Sequence, residues 1–363
     1  MGCVSFTETF LTVGARHYSD EGKPQYIGNP GDIVLATRQQ SDNLPILGMP
    51  AIIPDTLNGG KIIVGSNLYM VENISDIDNK FIFWLLKTPQ YINHIKISQT
   101  GTTVRMITKK DIENFTFLCP PKNEQDFISS LLWKIQNKIE TNRKINARLE
   151  EMAQAIFKSW FIDFTPFGGQ MPNDWELKPI DEVYSIKYGK NISKSELSDN
   201  GYPVYGANGI IGFTDKCNVN KIVTLITSRG NGSGEVSYTR DKDAFITNNS
   251  FIVFPLSYYK YLSFPYIYQS FLRIDFKSLC SGSAQPQLTN TSISSLSIMV
   301  PTKDIIDKFT QLCGAFYEKI FSLYKESARL AELRDALLPK LMSGEIKVEG
   351  SQSCQSPQSS LNS

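Results

Sequence analysis

The chain has 363 residues, enough for two or three domains with real cores. Its 37 Lys and Arg stand against 36 Asp and Glu, so no global field draws in nucleic acid or a membrane, and any DNA contact must be local. Cys3, Cys119, Cys217, Cys280, Cys313 and Cys354 include no C-x-x-C pair, and only His17 and His94 could join them; that argues against zinc and disulfides and suits a reducing cytoplasm.

From the N-terminus, residues 1–100 read as short β-rich segments broken by Gly and Pro, at 31–36 and 61–64, followed by a helix over 80–97. After Pro121 comes a long amphipathic run with Ile128, Leu131, Ile135, Ile139, Leu149, Met152, Ile156 and Trp160 on one stripe and Asn142 on the same line. A Gly/Pro-rich crossing at 164–173 leads to Trp175, which opens a second globule with strands at 221–227, 235–239 and 251–254 and a helix near 262–276. A second amphipathic run follows Pro301, with Phe309, Leu312, Phe316, Ile320, Leu323, Leu330, Leu333, Leu337 and Leu341 on its stripe. Residues 350–363 are a polar low-complexity tail, expected to be disordered. No apolar run approaches the roughly 20 residues of a membrane helix, and no basic-then-apolar signal opens the chain; a cytoplasmic protein without a membrane partner is expected.

The two runs belong to a repeat. Gly101, Thr108, Ile112, Pro120, Lys122 and Asp126 meet the same residue types at Gly282, Thr289, Ile293, Pro301, Lys303 and Asp307, and Ala147-Arg148-Leu149 meets Ala328-Arg329-Leu330, all at one offset without a gap. This period exceeds the roughly 20–50 residues of a solenoid, so a whole domain plus a helix is duplicated. The segment from Trp175 to about residue 221 has its counterpart largely before Met1, so the first globule reads as truncated. Each helix of about 35 residues would be roughly 50 Å long. Two equal stripes related by a two-fold axis bury each other by running antiparallel, with a coiled-coil-like seam. Asn142 faces the repeat position of Leu323, and a seam Asn fixes register.

Chemistry is hard to find. Gly230-Asn231-Gly232-Ser233-Gly234 imitates a phosphate loop, but such loops lead into a helix, whereas Val236-Ser237-Tyr238-Thr239 continues as strand. Cys119-Pro120-Pro121-Lys122 shares only its prolines with a methyltransferase motif, Glu345-Ile346-Lys347 is a lone E-x-K, and no Walker A sequence is present. No catalytic, metal or cofactor-binding residues are therefore assigned. Polar loop residues suited to DNA are Arg229, Asn231, Ser233, Tyr238, Arg240, Lys242, Asn248 and Asn249 in the second globule, and Arg16, His17, Arg38, Gln39 and Gln40 in the first. Arg pairs with guanine, and Asn or Gln with adenine; the alternative for each is an ordinary solvated loop.

Residues 149–164, from Leu149-Glu150-Glu151-Met152 to Trp160-Phe161-Ile162-Asp163-Phe164, with Met171-Pro172-Asn173-Asp174-Trp175-Glu176, resemble the central conserved region of the specificity subunit of type I restriction-modification systems. Gly282-Ser283-Ala284-Gln285-Pro286-Gln287-Leu288 and Leu337-Leu338-Pro339-Lys340-Leu341-Met342-Ser343-Gly344-Glu345-Ile346 are similar to its distal region. Two departures are the missing opening segment of the first globule and Val104-Arg105 in place of Gln285-Pro286. The resemblance implies an α+β protein: two mixed α/β target-recognition domains separated by two long helices packed as an antiparallel coiled coil, a pseudo-two-fold internal repeat. The segments would be a first recognition domain at 1–120, a central helix at 121–163, a second recognition domain with its leading linker at 164–302, a distal helix at 303–342 and a tail at 343–363.

It further implies a non-catalytic subunit reading a bipartite target in double-stranded DNA. Its partners would be DNA methyltransferase (modification) subunits, which bind S-adenosylmethionine and methylate adenine, and restriction/translocase subunits, which use ATP and magnesium. Helices of roughly 50 Å would set the unread spacer between half-sites, since heads on one face of B-DNA stand about 34–36 Å apart or a multiple of it. Alternatives are a truncated remnant, a half-specificity subunit working as a dimer, or a complete single-chain DNA methyltransferase.

Overall fold

The structure, a computed structural model, describes residues 2–16, 26–39, 46–55, 62–282 and 286–347. His17, Gln40, Lys61, Gln285 and the 350–363 tail lie outside them. The chain forms two compact units, Met1–Thr141 with Glu326–Ser363, and Asn142–Lys325. The units cut across the five expected segments, because each takes one half of each long helix.

In the first unit Ile33–Ala36 is the central strand of an antiparallel sheet, flanked by Pro50–Ile52 and Leu68–Val71. Side chains alternate across a strand, so Ile33 and Leu35 face one core while Val34 and Ala36 face another. The first core holds Phe81, Phe83, Trp84, Tyr91 and Ile95, with Ile128 and Leu132 from one long helix and Leu338 and Leu341 from the other. The expected 80–97 helix is two helices, Asn79–Leu85 and Pro89–Ser98. Thr88 divides them by capping the second through Tyr91 N, and Pro89 favours a first-turn position.

The second core is covered by Cys3 and Val4 of the N-terminal segment. That segment is fastened by polar groups. Thr9 N and Oγ1 donate to Glu140 Oε1 at 3.0 and 2.8 Å, and Thr9 O accepts from Ile52 N. Gln136 Nε2 donates to Thr7 O at 2.9 Å. Lys87 Nζ lies 3.1 Å from Phe6 O and 3.3 Å from Glu8 O, with the Phe83 ring beneath it.

In the second unit Thr224–Thr227 is the equivalent central strand, between Val236–Tyr238 and Ser250–Pro255, and Tyr184–Tyr188 adds a fourth antiparallel strand. A second sheet, ordered Gly209–Thr214, Tyr202–Gly206, Asp243–Ile246, Val219–Asn220, lies against its outer face and buries Leu225 and Ile252 with Tyr205, Ala244 and Ile246. The expected 262–276 helix is shorter, Phe264–Phe271, and is followed by a turn at Phe276–Leu279. Glu176–Pro179 pairs with Ser297–Val300; the repeat positions of the latter, 116–119, are exposed and form no strand.

The repeat is visible bond by bond. Ile107 N donates to Thr37 O at 3.2 Å and Leu288 N to Ser228 O at 2.9 Å, each just beyond the central strand of its unit. Thr100 bridges Met106 as Ser281 bridges Gln287. Thr108 caps Lys109–Glu113 as Thr289 caps Asn290–Ser294.

The long helices are Lys122–Phe161 and Lys303–Met342, 40 residues each and so about 60 Å long. In the first unit Arg334 meets Gln136 and Lys138 meets Glu326 at 3.5 Å; the higher number on one helix pairs with the lower on the other, so they run antiparallel there. In the second unit Phe309, near the start of one long helix, packs its ring on Phe157, Trp160 and Phe161, near the end of the other.

Ile128, Ile135, Ile139, Asn142, Phe309, Ile320 and Leu323 are buried as a seam requires, and Leu131, Leu149, Ile156, Phe316, Leu330 and Leu337 are half-buried. Met152, Leu312 and Leu333 are not: they are 49%, 42% and 48% exposed. Leu341 is buried as expected, but the buried series otherwise runs through Asn146, Ala153, Phe157 and Phe161, and through Ile306, Cys313, Tyr317 and Leu338. Positions such as 135, 146 and 157, or 306 and 317, recur every 11 residues, a period close to that of a straight helix, while a heptad drifts about 20° per repeat. Over 40 residues that drift carries a heptad stripe off the packed face.

Candidate nucleic-acid interface

Four loops of the second unit are tied together at one end of its sheets. The loop after Thr224–Thr227 carries Arg229 and Asn231, both exposed. Ser228 N donates to Asn249 O at 2.8 Å, which brings in the 247–249 turn with half-buried Asn248 and Asn249. Asn248 N donates to Lys190 O at 3.1 Å, and Thr227 Oγ1 to Ala207 O at 3.1 Å, which adds exposed Lys190 and exposed Asn208. Arg229 bridges Gln287, and its guanidinium lies 6.0 Å from the Tyr188 ring. One face thus offers two cations and several amides. Lys190 and Asn208 carry no local signal in the sequence; only the sheet pairing brings them to Arg229.

Three expected DNA contacts are corrected. Ser233 is buried, and its Oγ donates to Pro286 O at 2.6 Å, locking the glycine-rich loop. Tyr238 is buried and donates to Glu150 Oε1 at 2.6 Å; burial and the carboxylate raise its phenol pKa well above the ordinary value. Gln39 is buried and accepts from Leu47 N at 3.2 Å. Each is polar because it satisfies a buried backbone or side-chain group. Arg240 and Lys242 are exposed but stand at the opposite end of the 224–238 hairpin from Arg229, and the Arg240 guanidinium stacks 3.8 Å from the Tyr324 ring.

In the first unit Arg38 is exposed and pairs with Met106 at the edge of a short ladder. It holds the position of Arg229: each follows the residue whose carbonyl accepts from Ile107 N or Leu288 N, and each bridges residue 106 or its repeat partner 287. Arg16 is exposed. Among the described residues no cluster of three or more His, Cys, Asp or Glu could hold a metal ion, and no helix is long and apolar enough to cross a membrane.

The two units are tandem copies built on one sheet, each with an exposed arginine at the equivalent place. Residues 21–151 and 172–316 each match the family described as the type I restriction modification DNA specificity domain, and the chain belongs to that family. It is 25% identical over 311 residues to the type I restriction enzyme MjaIX specificity subunit of Methanocaldococcus jannaschii, covering 75% of this chain and 70% of that one. It is 26% identical over 400 residues to the HindI specificity subunit of Haemophilus influenzae, covering 78% and 81%. A crystal structure of a type I restriction-modification S subunit from M. genitalium shares the fold, with a TM-score of 0.52 at 20% identity over 86% of this chain and 83% of that one.

Proposed function

We propose that this chain is the DNA-reading subunit of a type I restriction-modification complex, without chemistry of its own, and that each unit reads one half of a bipartite duplex target. The observation that supports this most is the equivalence of Arg38 and Arg229, exposed side chains placed alike by two copies of the same ladder. A guanidinium fork matches O6 and N7 of guanine, the amides of Asn231, Asn248 and Asn249 match adenine, and Lys190 suits a phosphate.

In this reading modification subunits supply S-adenosylmethionine-dependent adenine methylation, and restriction/translocase subunits supply ATP- and magnesium-dependent cleavage. Met152 and Leu333 support repeated docking of such partners: they occupy equivalent repeat positions, one in each unit, and both are half exposed.

The test uses the complex with its modification subunit. Arg38→Ala and Arg229→Ala should each relax discrimination at a different half-site, by about 1–3 kcal/mol per lost base contact. Relaxation of the same half-site by both, or of neither, contradicts the assignment.

A second reading, a half-specificity form working as a dimer, draws on the exposed 116–119 segment and on the fourth strand, Tyr184–Tyr188, which has no counterpart among the described residues of the first unit. It would leave only the second unit reading.

A further inference from the structure

The hairpin Tyr202–Gly206/Gly209–Thr214 ends beside Arg229 and carries two adjacent apolar side chains in solvent, Ile210 at 47% and Ile211 at 50% exposed. Adjacent residues of a regular strand point to opposite faces. Here the register shifts: Val204 pairs with Gly212 and Tyr205 with Ile210, leaving Ile211 as an extra residue. Such a bulge re-aims side chains. Ile211 folds over Gly206, where an added Cβ would stand 2.8 Å from Ile211 Cγ2, so a larger residue there would push the isoleucine aside.

The tip is held in place. Ala207 O accepts from Thr227 Oγ1, and Tyr205 O accepts from Thr247 N at 3.0 Å. Asn208 reaches across to the Arg229 loop, close enough that a Cβ on Gly232 would lie 3.2 Å from its Oδ1. Two isoleucines thus sit at the border of a face made of Arg229, Asn231, Asn208 and Lys190, groups that complement base edges and phosphate.

We propose that Ile210 and Ile211 read thymine in the major groove by apolar contact with its C5-methyl group, in the half-site read by the second unit. The proposal rests on the DNA-reading function above. Aliphatic contact with that methyl is how a protein tells thymine from other bases without a hydrogen bond. The first unit has no corresponding hairpin among its described residues.

The experiment begins with the complex of this chain and its modification subunit, its methylated motif mapped, and duplexes in which each thymine of one half-site is replaced by deoxyuridine. Loss of one buried methyl should weaken binding about fourfold. The loss should appear in the half-site relaxed by Arg229→Ala. Ile210→Ser/Ile211→Ser should bind the thymine duplex as weakly as the native chain binds the uracil duplex, and should be indifferent to the replacement. Both side chains are half in solvent, so the variant should fold, which its thermal unfolding checks. Native binding indifferent to uracil, or an equal loss by the variant on both duplexes, overturns the methyl readout while the DNA-reading function stands. A complex that binds no duplex selectively overturns both.

Discussion

In the first unit the central strand turns Val34 and Ala36 toward Cys3 and Val4 of the N-terminal segment and toward Val64, a thin cover. In the second, the equivalent strand turns Leu225 toward a whole second sheet, with Tyr205, Val219, Ala244 and Ile246 across from it. The inner faces agree, because both pack on short helices and on the long-helix pair. The inner face is thus shared by the two units, whereas the outer face differs between them. Both covers combine apolar burial with hydrogen bonds: the second sheet accepts from Thr227 Oγ1 and Thr247 N, and the N-terminal segment of the first unit meets Glu140, Gln136 and Lys87.

The largest expected effect separates the cores. Phe309 is fully buried among Phe157, Trp160 and Phe161 of the second unit, so Phe309→Ala should cost about 3–5 kcal/mol. Hydrogen exchange should then lose protection at Thr224–Thr227 more than at Ile33–Ala36; equal loss at both would mean that the units unfold as one.

A smaller effect concerns the cover of the first unit. Glu140 accepts three hydrogen bonds, two of them from Thr9, and Glu140→Ala should cost about 1.5–3 kcal/mol while exposing the amides of Thr9 and Leu11 to exchange. Protection unchanged at those amides would show that the apolar contacts of Cys3 and Val4 suffice.

The smallest is a pH dependence. Burial pushes Lys87 down to about 7 from 10.5, with the nearby Arg334 charge adding to the shift. Between these values the unfolded chain binds a proton that the folded chain does not, so stability should rise with pH across that window. The three carbonyls and the Phe83 ring that meet the ammonium favour the charged form and moderate the rise. Lys87→Met should flatten the profile in urea titrations; an unchanged slope would assign it to other groups.

Much of this was legible because a repeat exposes itself by identity at a constant offset. Thr108 and Thr289 cap equivalent helices, and the bounds of the long helices, 122–161 and 303–342, obey the same offset. The seam was read less well, since a seven-residue step looks regular over two turns and misplaces Met152, Leu312 and Leu333 over ten. Ser233, Tyr238 and Gln39 look like loop polarity, but their partners Pro286, Glu150 and Leu47 are set by tertiary folding. Lys190 and Asn208 were missed for the same reason in reverse, as was the bulge at Ile211, which depends on which residue of the facing strand it opposes.

The central claim, two working reading units in one chain, is tested most directly by co-expressing the chain with its modification subunit in a methylation-free host and mapping modified adenines by long-read sequencing. The account predicts an asymmetric bipartite motif, one half of which changes with Arg38→Ala and the other with Arg229→Ala. A palindromic motif insensitive to Arg38 would contradict it, because a single unit would then be reading both halves.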